Sequence, residues 1–315
     1  MSAPTPRLRH RLLQPSDFEE ALGLLPPWLG LPDATRAALP ALWAELLHQP
    51  GFNADVIEDV LQPPGRRLQA LGVAVVLDDP WCRRLAEAPP AYAARHLYGE
   101  MLAGRFRPPS DAALARANAG EGVEFLVLHY WQRHAGLDDP LAHALWSVAM
   151  TAFRLAHAGH RVQGIHQEAW GDECEVMRSM GMFQRTRRTG TPGNAPLPEL
   201  FGMRRAEALR MLPGAHLRDV FEHHRPVFGF SPAERRLLRR AVYDETDEEI
   251  ARHLDTTVHT LKKQWRSVYA RVSARMPAFF GDGALGEEGG RGPEKRRLLV
   301  SYLRQHPEEL RPFAA

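Results

Sequence analysis

The sequence predicts an α/β amino-terminal domain, a mixed sheet covered by helices, followed by an all-α tri-helical unit. Short apolar runs at Leu71 to Leu77, Gly122 to Tyr130 and Val162 to Glu168 alternate with stretches of helical periodicity, the pattern of strands packed beneath helices. Residues 188 to 198 are rich in Gly and Pro and lack any period, and beyond them the apolar spacing becomes helical. From Phe230 to Met276 three helix starts follow one another, each opened by a capping hydroxyl. These observations divide the chain into an α/β domain over 8–187, a linker and helical connector over 188–229, the tri-helical unit over 230–276, and a flexible stretch with a last helix over 277–315.

The length of 315 residues suits two domains. No apolar run reaches the roughly 18 residues of a membrane span, and Met1 to Gln14 is polar and Arg-rich, without the form of an export signal. Cys82 and Cys174 stand far apart in no metal-type spacing, which fits reduced thiols and a cytoplasmic location. A net charge of +2 identifies no partner, but its distribution is informative. Thr257 to Val272 carries Lys262, Lys263, Arg266 and Arg271 with no acid, whereas Asp244, Glu245, Asp247, Glu248 and Glu249 crowd the segment before it.

The α/β domain begins with a capping box at Ser16-Asp17-Phe18-Glu19 and a helix over Thr35 to His48, bent or restarted at Pro40. The first strand, Leu71 to Leu77, is followed by helices at Trp81 to Ala88 and Tyr92 to Ala103. The second, Gly122 to Tyr130, precedes a long helix from Asp139-Pro140 to Ala158 with Pro in its first turn. Val162 to Glu168 is the third strand, Asp172 to Met180 the next helix, and Phe183 to Thr186 the last strand. Leu200 to His224 is predicted to be a mostly helical connector. His157 and His160 are assigned to the negative end of the long helix rather than to a metal, and no metal site is expected.

In the tri-helical unit Ser231 caps the first helix, with Pro232 in its first turn and Glu234 completing a capping box. Thr246 caps the second, and Asp247, Glu248 and Glu249 meet the positive end of its dipole. Thr257 caps the third, whose Leu261, Trp265, Val268, Tyr269 and Val272 point inward while His259, Thr260, Lys262, Lys263 and Arg266 share the other face. These residues resemble the LuxR-type helix-turn-helix over about 45 positions. Asp244 stands where that family usually has Gly, and Thr256 replaces a common apolar residue. The resemblance implies major-groove reading of double-stranded DNA by a homodimer, with His259, Thr260, Lys263 and Arg266 nearest bases or phosphates and Thr257 and Lys262 on backbone.

The strand Gly122 to Tyr130, the long helix, the turn into Val162 and the tail Gly171 to Phe183 resemble the GNAT acetyltransferase fold. That resemblance implies a coenzyme A diphosphate loop at Arg133-His134-Ala135-Gly136-Leu137-Asp138. Arg133 and Gly136 match the loop, but Asp138, followed by Asp139, places carboxylates where phosphate charge would sit. The expectation is therefore a degenerate, non-enzymatic domain that senses or dimerises, without a cofactor. Tyr130, Arg133, Gly136 and Asp138 are its candidate pocket for a small-molecule effector. No Gly-x-x-x-x-Gly-Lys-Ser/Thr and no phosphoreceiver set is present. The whole is expected to be a DNA-binding regulator, the alternative being an acetyl-coenzyme A-dependent N-acetyltransferase with a nucleic-acid or partner-binding tail.

Overall fold

The computed structural model describes residues 6–136, 138–186, 197–281 and 292–314. Seven strands form one sheet in the order β1-β2-β3-β4-β5-β7-β6: β1 (Leu8–Leu12), β2 (Phe52–Asp59), β3 (Leu68–Val76), β4 (Val123–Gln132), β5 (Val162–Ala169), β6 (Phe183–Gln184) and β7 (Glu199–Arg204). Neighbours are antiparallel except β4 and β5, which run parallel through the crossover helix α6 (Pro140–His157).

Strands β2 and β3 are buried almost throughout, as their central place requires. On one face the sheet packs α1 (Phe18–Leu22), α2 (Asp33–Leu46), α3 (Asp79–Glu87) and α4 (Ala93–Leu102), a core around Trp43, Tyr98 and Phe52. The other face carries α5 (Asp111–Ala119), α6, α7 (Glu173–Ser179), α8 (Arg205–Ala208) and α9 (His216–Phe221), packed through Phe125, Ile165, Phe201 and Phe221.

Two strands arise in segments read otherwise, and one was placed in the wrong element. β1 lies within the polar amino terminus, and β2 was not anticipated because Asp55, Glu58 and Asp59 interrupt its apolar pattern. Those acids are internal: Glu58 is 1% exposed and accepts from Arg9 Nε at 2.8 Å and Arg11 Nε at 3.0 Å. β7 falls in the segment predicted as a helical connector, so the sheet extends to Arg204, past the expected domain boundary at 187. Pro40 lies inside the continuous helix α2. Most of the predicted linker at 188–198 lies outside the described residues.

Helices α10 (Pro232–Ala241), α11 (Asp247–His253) and α12 (Val258–Arg275) start at Ser231, Thr246 and Thr257, each of whose hydroxyls accepts from the backbone N–H three residues on. Asp244 adopts φ 60°, the left-handed conformation that glycine takes without strain, and its carboxylate pairs with Arg304 at 2.6 Å. A further helix, α13 (Gly292–Gln305), buries Leu299, Val300 and Leu303 in the same core. That core is not separate from the sheet unit, since Leu12 of β1 belongs to it and Leu155 of α6 packs against it.

The tail after α13 runs between the two parts. Arg311 donates to the carbonyls of Leu155 at 2.6 Å and Ala158 at 2.9 Å, closing the carboxyl end of α6. Glu309 accepts from the backbone of Val227 and Phe228 at 2.8 and 3.0 Å, and Asn118 Nδ2 donates to the Pro312 carbonyl at 2.7 Å. His157 and His160 are not cations at a helix end, as had been expected. Both are buried, and burial first, then the Arg311 charge among others, holds His157 down to about 4 and His160 well below the ordinary range.

Candidate functional site

The site follows from an interruption in the sheet. β4 and β5 pair only from Val123 opposite Val162 to Val127 opposite Gln167. Beyond that point β4 continues against β3 as far as Gln132, and β5 continues against β7 as far as Ala169, so a wedge opens between them. A register shift between Val73 and Ala74, opposite His129 and Val127, leaves Leu128 unpaired where the wedge begins.

The wedge is a crevice of about 520 Å³ walled by Tyr130, Trp131 and Gln132 of β4, Trp146 of α6, Gln167 of β5, and Trp170, Glu173 and Met177 leading into α7. Tyr130 packs on Trp146 with ring centroids 4.8 Å apart and donates to Gln132 Oε1 at 2.6 Å. Behind it, beneath α6, lies a narrower chamber of about 80 Å³ lined by Ile57, Val73, Val127, Met150, Phe153 and Met182, among others. Tyr130, Trp146, Gln167 and Met177 line both spaces and therefore form the wall they share. The chamber is apolar apart from a few groups such as Asn53, Asp55 and His157. Apolar space of this kind favours an aliphatic group over water.

Glu173 is the most buried of the three carboxylates that line the crevice, Asp172 and Glu175 being exposed. Its carboxylate accepts from Trp28 Nε1 at 3.0 and 3.2 Å and from the Trp170 backbone at 3.3 Å. Burial nevertheless outweighs those hydrogen bonds and pushes its pKa up to about 7, in the range suited to proton transfer near neutrality. Sequence reasoning missed Glu173 and Gln167, whereas Trp146 is one of the tryptophans expected as core or pocket wall. The long β4–α6 connection was the signal for a pocket, but Glu173 acquires its environment from Trp28, remote in sequence.

The expected pocket residues are dispersed. Tyr130 and Gly136 line the crevice, and Gly136 takes φ 117°. Arg133 turns away, donating to the Leu68 carbonyl at 2.7 Å and to Glu20 at 3.4 Å. Asp138 lies exposed in the turn, and Leu137 lies outside the described residues. Asp139 is the cap of α6: its carboxylate accepts from the Leu141 backbone at 2.8 Å, which holds its pKa below the usual range. One backbone N–H at that helix start is thus satisfied by the chain's own carboxylate, which sets negative charge beside the position a diphosphate would take.

On α12, Thr257, His259, Thr260, Lys262, Lys263 and Arg266 are all exposed. Lys262, Lys263 and Arg266 make no ion pair among the described residues, whereas Arg271 is held by Glu234 at 3.0 Å. The acidic run before α12 is consumed locally: Glu245 pairs with Arg240 and His253, Asp247 with Arg296, and Glu249 caps Thr246.

No family model matches the chain, and no curated protein does. Among solved structures, a spermidine N-acetyltransferase from Vibrio cholerae in complex with CoA and spermine aligns at 11% identity over 64% of this chain and 96% of its own, with a TM-score of 0.37. A form of that enzyme described as dodecameric aligns at 12% identity over 64% and 96%, with a TM-score of 0.35. FeeM, an N-acyl amino acid synthase from uncultured soil microbes, aligns at 12% identity over 64% and 95%, with a TM-score of 0.37. The strand order, the single parallel pair and the wedge form the mixed sheet that the GNAT resemblance implied. The expectation of a non-enzymatic domain stands against these alignments, which are with an N-acetyltransferase and an N-acyl amino acid synthase. None of the comparisons supports a LuxR-type unit or DNA binding. Among the described residues no helix is long and apolar enough to cross a membrane.

Proposed function

We propose that the chain is an N-acyltransferase that accepts an acyl thioester in the β4–β5 crevice and lodges the acyl chain in the chamber beneath α6. The observation that carries this reading is the shared wall of Tyr130, Trp146, Gln167 and Met177, which sets a crevice containing Glu173 directly against an apolar chamber. An amine entering the crevice attacks the thioester carbonyl: the C–N bond forms, the C–S bond breaks, and Glu173 takes the amine proton. The thiolate leaves and is protonated in turn. Tyr130, whose pKa burial drives far above 10, keeps its proton throughout the neutral range and commits it to Gln132 Oε1, holding the β4 wall. Since Asp139 sets negative charge beside the anion position, the donor is held by its acyl chain and thioester rather than by a diphosphate.

The test compares octanoyl-pantetheine, which lacks the diphosphate, with acetyl-coenzyme A across a panel of amines that includes amino acids and spermidine. Transfer from the octanoyl donor at a higher kcat/KM supports the reading. Preference for acetyl-coenzyme A, or no transfer from either donor, overturns it.

A second reading concerns the carboxy-terminal helices alone. The unpaired cations on the exposed face of α12 favour a role in binding double-stranded DNA, since phosphate contacts require uncommitted positive charge. One such unit covers a half-site, and a homodimer presents two. Filter binding of genomic duplex fragments by the full chain tests it; absence of binding at low ionic strength refutes it.

A further inference from the structure

Where α10 and the tail meet the sheet unit lies a cavity of about 130 Å³, far larger than a single water needs. Its wall is dominated by arginine: Arg235, Arg236, Arg239 and Arg240 from α10, and Arg311 from the tail. Asp111 is the single carboxylate among the lining residues, and it is committed to Arg235 at 2.6 Å. Arg240 is neutralised by Glu245 at 2.9 Å.

Arg236, Arg239 and Arg311 meet no carboxylate within ion-pair distance among the described residues. Arg236 is exposed, Arg239 donates to Asn53 Oδ1, and Arg311 donates to the carbonyls of Leu155 and Ala158. Asp55 lies behind Asn53, but burial raises its pKa, which weakens it as a counter-charge. The field of the group is visible in its neighbours. Arg311 is brought down to about 10 by burial and then by Arg239, and His160 is held neutral by burial and then by Arg311.

Arg235 with Arg239, and Arg236 with Arg240, stand four apart on one helix, a spacing at which like charges repel. Two such pairs directed at one partly enclosed space, with only neutral acceptors for Arg239 and Arg311 and Arg236 exposed, call for an external anion. Guanidinium forks match phosphoryl oxygens, and a multiply charged group neutralises more of the cluster than a carboxylate does.

We propose that this pocket binds a phosphorylated small-molecule anion whose oxygens accept from Arg236, Arg239 and Arg311, tying α10 and the tail to the sheet unit. The site is separate from the crevice and does not depend on the acyltransferase reading.

The probe is inorganic pyrophosphate, titrated calorimetrically into the full chain in magnesium-free buffer at fixed ionic strength, with thermal unfolding followed in parallel. Saturable binding of one anion per chain and a raised Tm are expected. Arg236→Glu, at an exposed and unpaired position, weakens binding at least tenfold without lowering the Tm of the free protein. Arg239→Gln weakens it similarly, and should that variant fail to fold, Arg236→Glu decides alone. Lys262→Ala with Lys263→Ala leaves binding unchanged. Absence of saturable binding, equal affinity in Arg236→Glu, or an equal loss in the lysine variant overturns the proposal.

Discussion

The indole N–H of Trp28 donates to the carboxylate of Glu173, joining the α1–α2 connection to the first turn of α7 beside the crevice. Burial raises the Glu173 pKa from 4.5 to about 7, so the basic form appears only as pH rises through that value. Acyl transfer is expected to show a rising limb near pH 7. Glu173→Gln should abolish the limb and lower kcat by a factor on the order of 10² to 10⁴.

The same shift has a thermodynamic side. The folded state binds this proton more tightly than the unfolded chain, so stability is lost as pH rises from 4.5 towards 7. Glu173→Gln removes that loss: at pH 8 its urea midpoint should exceed that of the native protein, with the difference closing near pH 4. A constant difference across pH would contradict the assignment.

Ala149 lines the chamber on the α6 side. Ala149→Phe is expected to fill it, lowering kcat/KM for an octanoyl thioester by more than tenfold while leaving that for an acetyl thioester within twofold. Equal losses for both donors would show that the chain lies elsewhere.

Gly159 has φ 85°, and a methyl group there would stand 2.3 Å from the Glu308 backbone nitrogen. Gly159→Ala should therefore lower unfolding stability by about 1–3 kcal/mol, through strain and overpacking together. Chemical denaturation gives the value.

For the α12 face, Lys262→Ala with Lys263→Ala is expected to weaken duplex binding across sequences and to flatten the log–log salt dependence by about 0.9 per lost phosphate contact. A salt titration with two unrelated duplexes distinguishes this from loss of base reading, which would affect one sequence only.

Legibility in the sequence tracked the range of the interactions involved. Ser231, Thr246 and Thr257 were found because a cap acts within three residues, and β4, α6 and β5 because their apolar pattern is local. β2 was not: of the acids that break its pattern, Glu58 is neutralised by Arg9 and Arg11 of another strand, and Asp59 accepts from the backbone of Arg7. β7 is short and carries Gly202 where the sheet passes close to His166 and Arg185. Tyr130 and Gly136 could be placed at the pocket from the β4–α6 connection, but the proton affinity of Glu173 rests on a partner in a distant segment.

The contacts of Arg311 also order events during synthesis. The sheet unit leaves the ribosome long before residues 307–314, and until they emerge the last carbonyls of α6 and the backbone N–H groups of Val227 and Phe228 lack the partners that Arg311 and Glu309 supply. The contacts that Arg311 and Glu309 supply therefore form only once that segment has emerged, and a nascent chain stalled before Arg311 would lack them.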